Sequence, residues 1–375
     1  MAPAHSVGQA FFPLDEQLGV LGGGVSPRGE EVLVRLSSWM PFEDARELLQ
    51  EVLGIQVSKA TARRLTLASG QAQLAVEETE RQRLTQDFPP APAGADKQVL
   101  SGDGAMVHLV GGEWAEVKTL ALGEGARKKN GEICTQHLSY FSRLSDATHF
   151  AQAALVETHR RGLEKATEVA AVQDGAEWLQ GLVDYHRADA VRILDFPHAA
   201  EYINEIGEAV RAAGGRLPAG WLTGVLHRLK AEGPARVLKH LAWLAARFPS
   251  ALIQENLSYL QKREAHMQYP SYQQAGWPIG SGSVESANKL VVEARLKGAG
   301  MRLPAAQCQC DAGATQRGMQ WALDPDVGVS ARAATRAAPP AATSRESAAA
   351  EPGLLGPRLL VHAAQGLICS LGGHG

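Results

Sequence analysis

At 375 residues, 45% hydrophobic and 21% charged, the chain has the composition of an ordinary globular protein of two or three domains, which excludes a fibrous or wholly disordered one. Its 37 Lys and Arg against 40 Asp and Glu give a formal charge of -3, so any nucleic-acid contact must come from local basic clusters rather than a global positive field. The apolar runs fall short of the about twenty residues a membrane helix needs, no basic-then-apolar leader opens the chain, and Cys134, Cys308, Cys310 and Cys369 lack paired spacing; a cytoplasmic protein without membrane contact or structural zinc is expected.

Residues 1–30, with Gly22-Gly23-Gly24 and Pro27, read as an extended arm. A helical apolar pattern covers residues 30–39, and Pro41 stands at the first position of a second helix, 42–52, which Gly54 ends. Ser58 caps a third helix, 59–69, so that helix, turn and helix follow in the order of a helix-turn-helix unit. On it Lys59, Arg63 and Arg64 are candidates for phosphate and base contacts, with Ala60, Leu65 and Ala68 facing inward. A plain three-helix bundle with a solvated basic face is the alternative. A polar helix over 71–86 leads to a proline-rich linker, 88–96, which bounds a helical DNA-binding region, 1–87.

Beyond the linker, residues 98–103 alternate as a strand ending in Gly102-Asp103-Gly104, and 106–110 and 114–122 are two further strands. A basic turn (125–131), a short extended segment (136–141) and a helix (146–161) follow. Residues 168–173 read as a buried strand ending at Asp174-Gly175, then come a helix over 176–186 and a strand over 190–194, which together imply a mixed α/β sheet. Asp103 and Asp174 thus each end a strand, where open α/β sheets place their ligand sites, although a single Asp-Gly is more often only a turn. Residues 199–274 are helical by pattern, anchored by Trp221, Leu222, Leu226, Leu229, Leu238, Leu241, Trp243, Leu244 and Phe248. His227, Arg228, Lys230, Arg236, Lys239, His240 and Arg247 offer either a DNA-facing or a merely solvated surface. In Trp277-Pro278-Ile279-Gly280-Ser281-Gly282-Ser283-Val284-Glu285-Ser286, Pro278, Gly280 and Gly282 make a tight loop. It opens a helix capped by Ser283, with Val284, Ala287, Val291 and Ala294 at helical spacing. Glu285 falls in the first turn; with Lys289 and Glu293 it would otherwise be one rung of a charge ladder.

That loop, followed by Arg295-Leu296-Lys297-Gly298-Ala299-Gly300-Met301-Arg302, resembles the third catalytic block of DDE-type insertion-sequence transposases of the ISKra group, related to the Mutator-like transposases; the match covers about twenty-five residues. The resemblance implies an RNase H-like fold in two parts, 97–198 and 276–302, around a helical insertion, 199–275. It implies that Asp103, Asp174 and Glu285 form the catalytic triad, binding Mg²⁺ with Mn²⁺ as a substitute. Asp195-Phe196-Pro197-His198 matches the family's C/D-x-x-H element and makes Asp195 and His198 accessory residues. Lys289, Arg295 and Lys297 would hold phosphate. Two hydrated Mg²⁺ ions on carboxylates can activate a water or 3′-hydroxyl and stabilise the leaving oxyanion. The implied partners are double-stranded DNA, as terminal inverted repeats and as target, with a homo-oligomer assembled on it in the nucleoid.

After Arg302 the resemblance fails, and permissible codons for Cys308 to Arg317, read one base later, can encode the family's next helix. A frameshift near residue 303 is expected, leaving 303–375 as a foreign, disordered tail rich in Ala, Pro, Arg and Ser, and this copy inactive. Two other functions stay open: a non-catalytic DNA-binding repressor of the intact element, and an RNase H-like structure-specific nuclease without strand transfer.

Overall fold

The computed structural model describes residues 25–293 together with Leu296, Lys297, Pro304, Ala305 and Cys308. The arm over 1–24, Arg295 and, apart from Pro304, Ala305 and Cys308, the tail over 303–375 lie outside the described residues.

Three helices come first. Ser26 Oγ accepts from the Gly29 amide at 3.2 Å and opens α1 (Pro27–Trp39), with Pro27 where a missing N–H costs nothing. Pro41 is the N-cap of α2 (Phe42–Leu53) rather than its first helical residue, and Gly54 ends it at φ +67°, a backbone state that glycine adopts without strain. Ser58 Oγ accepts from the Thr61 amide at 3.1 Å and opens α3 (Lys59–Asp87). The break expected between residues 69 and 71 is absent, and α3 runs for 29 residues. A helical glycine costs about 1 kcal/mol relative to alanine, and the buried stripe Ala62, Leu65, Thr66, Ser69, Gln73 that a continuous helix keeps in phase outweighs it. The same phase corrects two expectations: Ala60 and Ala68 are exposed, because Ala62 and Leu65 set the inward side. The three helices share a core of Val25, Leu33, Phe42, Leu49, Val57, Ala62 and Leu65.

The second half of α3 leaves that bundle and lies on the α/β unit, where Glu77 pairs with Arg143 and Glu80 with Arg160. The expected linker is likewise packed rather than loose. Ala91 is buried, and a Cβ on Gly94 would stand 2.3 Å from the carbonyl oxygen of Arg161.

Five strands form one sheet: β1 (Lys97–His108), β2 (Trp114–Arg127), β3 (Ile133–Leu144), β4 (Glu168–Gln173) and β5 (Val191–Leu194). The order is β3-β2-β1-β4-β5, with β2 antiparallel to its neighbours β1 and β3, β4 parallel to β1 and β5 parallel to β4. The strands expected over 98–103 and 106–110 are one continuous β1, so Asp103 lies inside a strand and not at its end. Its glycines do not break it because β2 pairs along its length, from Gln98↔Glu124 to His108↔Trp114.

Helices α4 (Ala147–Arg160) and α5 (Glu177–Arg187) cover one face, over Leu100, Leu120, Leu122 and Phe141. The other face carries the insertion: α6 (Phe196–Ala212), α7 (Trp221–Glu232), α8 (Pro234–Arg247), α9 (Ala251–Lys262) and the short α10 (Tyr269–Gln274), packed on Val99, Ala170, Val172 and Ile193. The stretch is helical as its pattern requires, with one anchor corrected. Trp243 is 59% exposed, since Leu241, Leu244 and Ala245 turn the apolar side of α8 the other way. Among the basic candidates of this stretch His227, Arg228, Lys230, Arg236, Lys239 and Arg247 are exposed, whereas the His240 ring accepts the Trp221 indole N–H at 2.9 Å. The molecule is therefore a mixed α/β sheet between helical layers, preceded by a helical bundle. No helix among the described residues is long and apolar enough to cross a membrane.

Candidate active site

Register brings the first carboxylates together. β1 pairs with β4 as far as Leu100↔Ala171, and β4 with β5 as far as Gln173↔Leu194. Carried past the last pairs, those registers set Asp103 level with Asp174 and Asp174 level with Asp195. On its other side Asp103 is paired with Thr119, whose hydroxyl meets Ser142 of β3 at 2.9 Å. A polar row, Asp103, Thr119 and Ser142, thus runs across β1, β2 and β3.

Glycines flank Asp103 because the opposite face is crowded: a Cβ on Gly102 would lie 2.2 Å from Leu179 of α5, and one on Gly104 would lie 2.0 Å from the Glu116 carboxylate. The Asp103 carboxylate accepts from the Gly104 amide through Oδ1 and from Asn288 Nδ2 through Oδ2, both at 2.7 Å. Burial pushes its pKa up to about 6; the charges of Asp174 and Glu285 add to the rise, and the two hydrogen bonds oppose it.

Asp174 sits in the turn after β4. Its Oδ1 accepts from the Ala176 amide at 2.8 Å, and its main-chain oxygen accepts from the Tyr259 hydroxyl of α9. Gly175 follows at φ +83°.

Glu285 belongs to α11 (Gly282–Ala287), which the tight loop opens as expected, though the N-cap is Ser281 and not Ser283. The reason is local: Ser281 is sewn to the sheet, its amide donating to Asp195 Oδ1 at 2.6 Å while Phe196 N donates to Ile279 O at 2.8 Å. Ser281 Oγ reaches Glu285 Oε1 at 3.4 Å, and Glu285 is otherwise exposed. A π-helical turn (Asn288–Glu293) continues α11, and Val284, Asn288, Val292 and Leu296 are buried, while the burial of Ala287, Val291 and Ala294 lies outside what is described.

The Asp195-Phe196-Pro197-His198 element caps α6. Asp195 Oδ2 accepts from the His198 amide at 3.0 Å, and burial, with Glu285 nearby, pushes the Asp195 carboxyl up. Asp195 therefore links the end of β5 to the loop that carries Glu285. His198 takes part through its backbone, and its ring faces Tyr202 and Glu201.

Of the expected phosphate contacts, Lys289 and Lys297 are exposed beyond Glu285, and Arg295 lies outside the described residues. Lys59, Arg63 and Arg64 are exposed on the first turns of α3, in the separate bundle; Lys59 Nζ comes within 4.0 Å of Glu43.

The donor chemistry of Asp103, Asp174 and Glu285 suits a hard dication. All three offer carboxylate oxygens; burial chiefly, with the charges of Asp174 and Glu285 adding to it, raises Asp103, and a bound cation would oppose that rise. Among the described residues, however, no group of three His, Cys, Asp or Glu side chains is gathered closely enough to hold an ion.

Four residues of this site carry no signal in the motifs: Thr119, Ser142, Tyr259 and Asn288. Only Asn288 was within reach, three positions after Glu285 on a helix and so on its side. The others arrive by strand pairing and by the return of the insertion. No protein-family model matches the chain, and no curated protein matches it.

Proposed function

We propose that the chain is a DDE-type DNA transposase with an RNase H-like catalytic unit, cleaving phosphodiester bonds at the ends of a mobile element and joining the freed 3′-hydroxyl to target DNA. The observation that carries this reading is geometric: the β1–β4 register sets Asp103 level with Asp174, and Asn288, three residues after Glu285, donates to the Asp103 carboxylate, so a strand, a turn and a distant helix meet at one end of the sheet. The strand order, with three antiparallel strands followed by two parallel ones, is the one an RNase H-like unit requires, and supports it.

On this reading Asp103, Asp174 and Glu285 would hold Mg²⁺ or Mn²⁺, which when bound supplies Lewis acidity and an activated oxygen nucleophile. The chain's own groups orient the ligands. Gly104 N and Asn288 fix the Asp103 carboxylate, Ala176 N fixes Asp174, and Asp195 holds the loop ahead of Glu285 through the Ser281 amide. Lys289 and Lys297 would neutralise phosphate, and α3 would engage the terminal repeats through Lys59, Arg63 and Arg64. Two DNA ends joined to one target require a homo-oligomer on DNA, in the nucleoid.

One observation favours a second reading, the non-catalytic repressor: Glu285 is exposed, and no trio is gathered for an ion among the described residues. Incubating the chain with linear duplex DNA carrying the element's terminal repeats and Mg²⁺ separates the two. Nicking at the repeat ends, by the chain or by a version whose reading frame is restored after residue 302, supports the transposase. Repeat-specific binding without nicking by either version supports the repressor.

A further inference from the structure

The insertion does more than separate Asp174 from Glu285 in the sequence. Helix α9 and its C-cap reach back to the turn after β4 with two side chains four positions apart, Tyr259 on the helix and Arg263 at the cap. The Tyr259 hydroxyl donates to the main-chain oxygen of Asp174, and Arg263 Nη2 donates to the main-chain oxygen of Gly175 at 2.8 Å. The Arg263 guanidinium lies 3.7 Å from the centre of the Tyr259 ring, and that ring stacks on Tyr202 of α6 at 3.9 Å with planes only 8° apart. Neither side chain is free to swing without breaking the stack.

Gly175 completes the fit. A Cβ there would lie 2.4 Å from Arg263 Nε and 3.0 Å from the Tyr259 hydroxyl, and φ is +83°, so glycine is required both by backbone state and by the closeness of α9. The turn is thus held on two carbonyl oxygens from one side, while Asp174 Oδ1 holds the Ala176 amide on the other. Carbonyls in a strand-to-helix turn are usually left to solvent; here an arginine and a tyrosine from a separate layer take two in succession.

We infer that Tyr259 and Arg263 are positioning residues that fix the Asp174 carboxylate, so that the helical insertion sets the cation affinity of the acidic site. This rests on the reading of Asp174 as a metal ligand. Groups that orient a metal ligand change affinity by about 10- to 100-fold when removed.

The test uses the full-length chain with Tyr259→Phe, Arg263→Gln and the conservative Arg263→Lys. Hydrogen exchange of the segment 174–177, read by mass spectrometry without metal or DNA, reports the clamp itself. Manganese binding, read by electron paramagnetic resonance on the DNA-free protein, reports its consequence. Faster exchange confined to that segment in Tyr259→Phe and Arg263→Gln, with a thermal midpoint unchanged from the parent and partial recovery in Arg263→Lys, supports the clamp. A loss of Mn²⁺ affinity of about 10-fold or more in the same two variants completes the proposal. Unchanged exchange at 174–177, or exchange that rises equally across the sheet, overturns it. An Asp174→Asn chain that binds Mn²⁺ as tightly as the parent would instead remove the premise about Asp174, while leaving the exchange result to judge the clamp.

Discussion

Asp103 is surrounded by residues that make sense only together: glycines on both sides for the crowded far face, Thr119 across the strand, and Asn288 from a helix 185 positions away. The sequence marks the carboxylate and its glycines but assigns the glycines to a turn, because a Gly-Asp-Gly run carries no sign of the Leu179 and Glu116 side chains that fill the space. A second buried polar group lies away from the site and makes a separate prediction. His186 of α5 donates from Nε2 to the Ala151 carbonyl of α4 at 2.9 Å, and burial lowers its pKa to about 4 from the ordinary 6.5. The unfolded chain therefore binds this proton between pH 6.5 and 4 while the folded chain does not. Stability from this group is complete above pH 6.5 and is lost as pH falls towards 4, by up to about 3 kcal/mol. Urea unfolding at pH 7 and pH 4.5 should show that loss, and a His186→Gln chain should show less of it. An equal acid loss in both chains would place the titration elsewhere.

At the scale of elements, the strand over 168–173 and the cap of α3 at Ser58 were legible because a short apolar run bounded by Asp-Gly and a serine before a helical pattern leave few alternatives. The continuity of α3, the single β1 and the π-helical turn were not, since each depends on what lies against the element. The second half of α3 shows why. Its contact with the sheet is partly ionic: Glu77 and Arg143 are both buried, and Arg143 also lies over Phe141 at 4.3 Å. Removing one member strands the other's charge, so Glu77→Ala should destabilise the chain by about 3–5 kcal/mol. Replacing both with apolar residues of similar volume should recover most of that in urea unfolding. A single substitution costing under about 1 kcal/mol would mean that water already reaches this contact.

At the scale of the whole molecule, a chain of net charge -3 has no global positive field, so the proposed DNA binding would fall to local basic surfaces such as the exposed Lys59, Arg63 and Arg64 of the bundle. Because α3 is fixed to the sheet by the Glu77 and Glu80 pairs, what the bundle holds is held in a set relation to the carboxylates. Substituting all three residues by alanine should lower the salt dependence of repeat binding by roughly three units of log–log slope, about 0.9 per phosphate contact. An unchanged slope would leave the bundle without a role in binding. The central claim is that Asp103, Asp174 and Glu285 act as one cation-dependent unit, and amide substitution in the frame-restored chain tests it most directly. Asp103→Asn, Asp174→Asn and Glu285→Gln, assayed on repeat-bearing duplex DNA with Mg²⁺, should each abolish nicking while repeat binding stays within about threefold of the parent, because a lost ligand removes nucleophile activation and not phosphate attraction. Normal nicking by any one of the three would contradict the account.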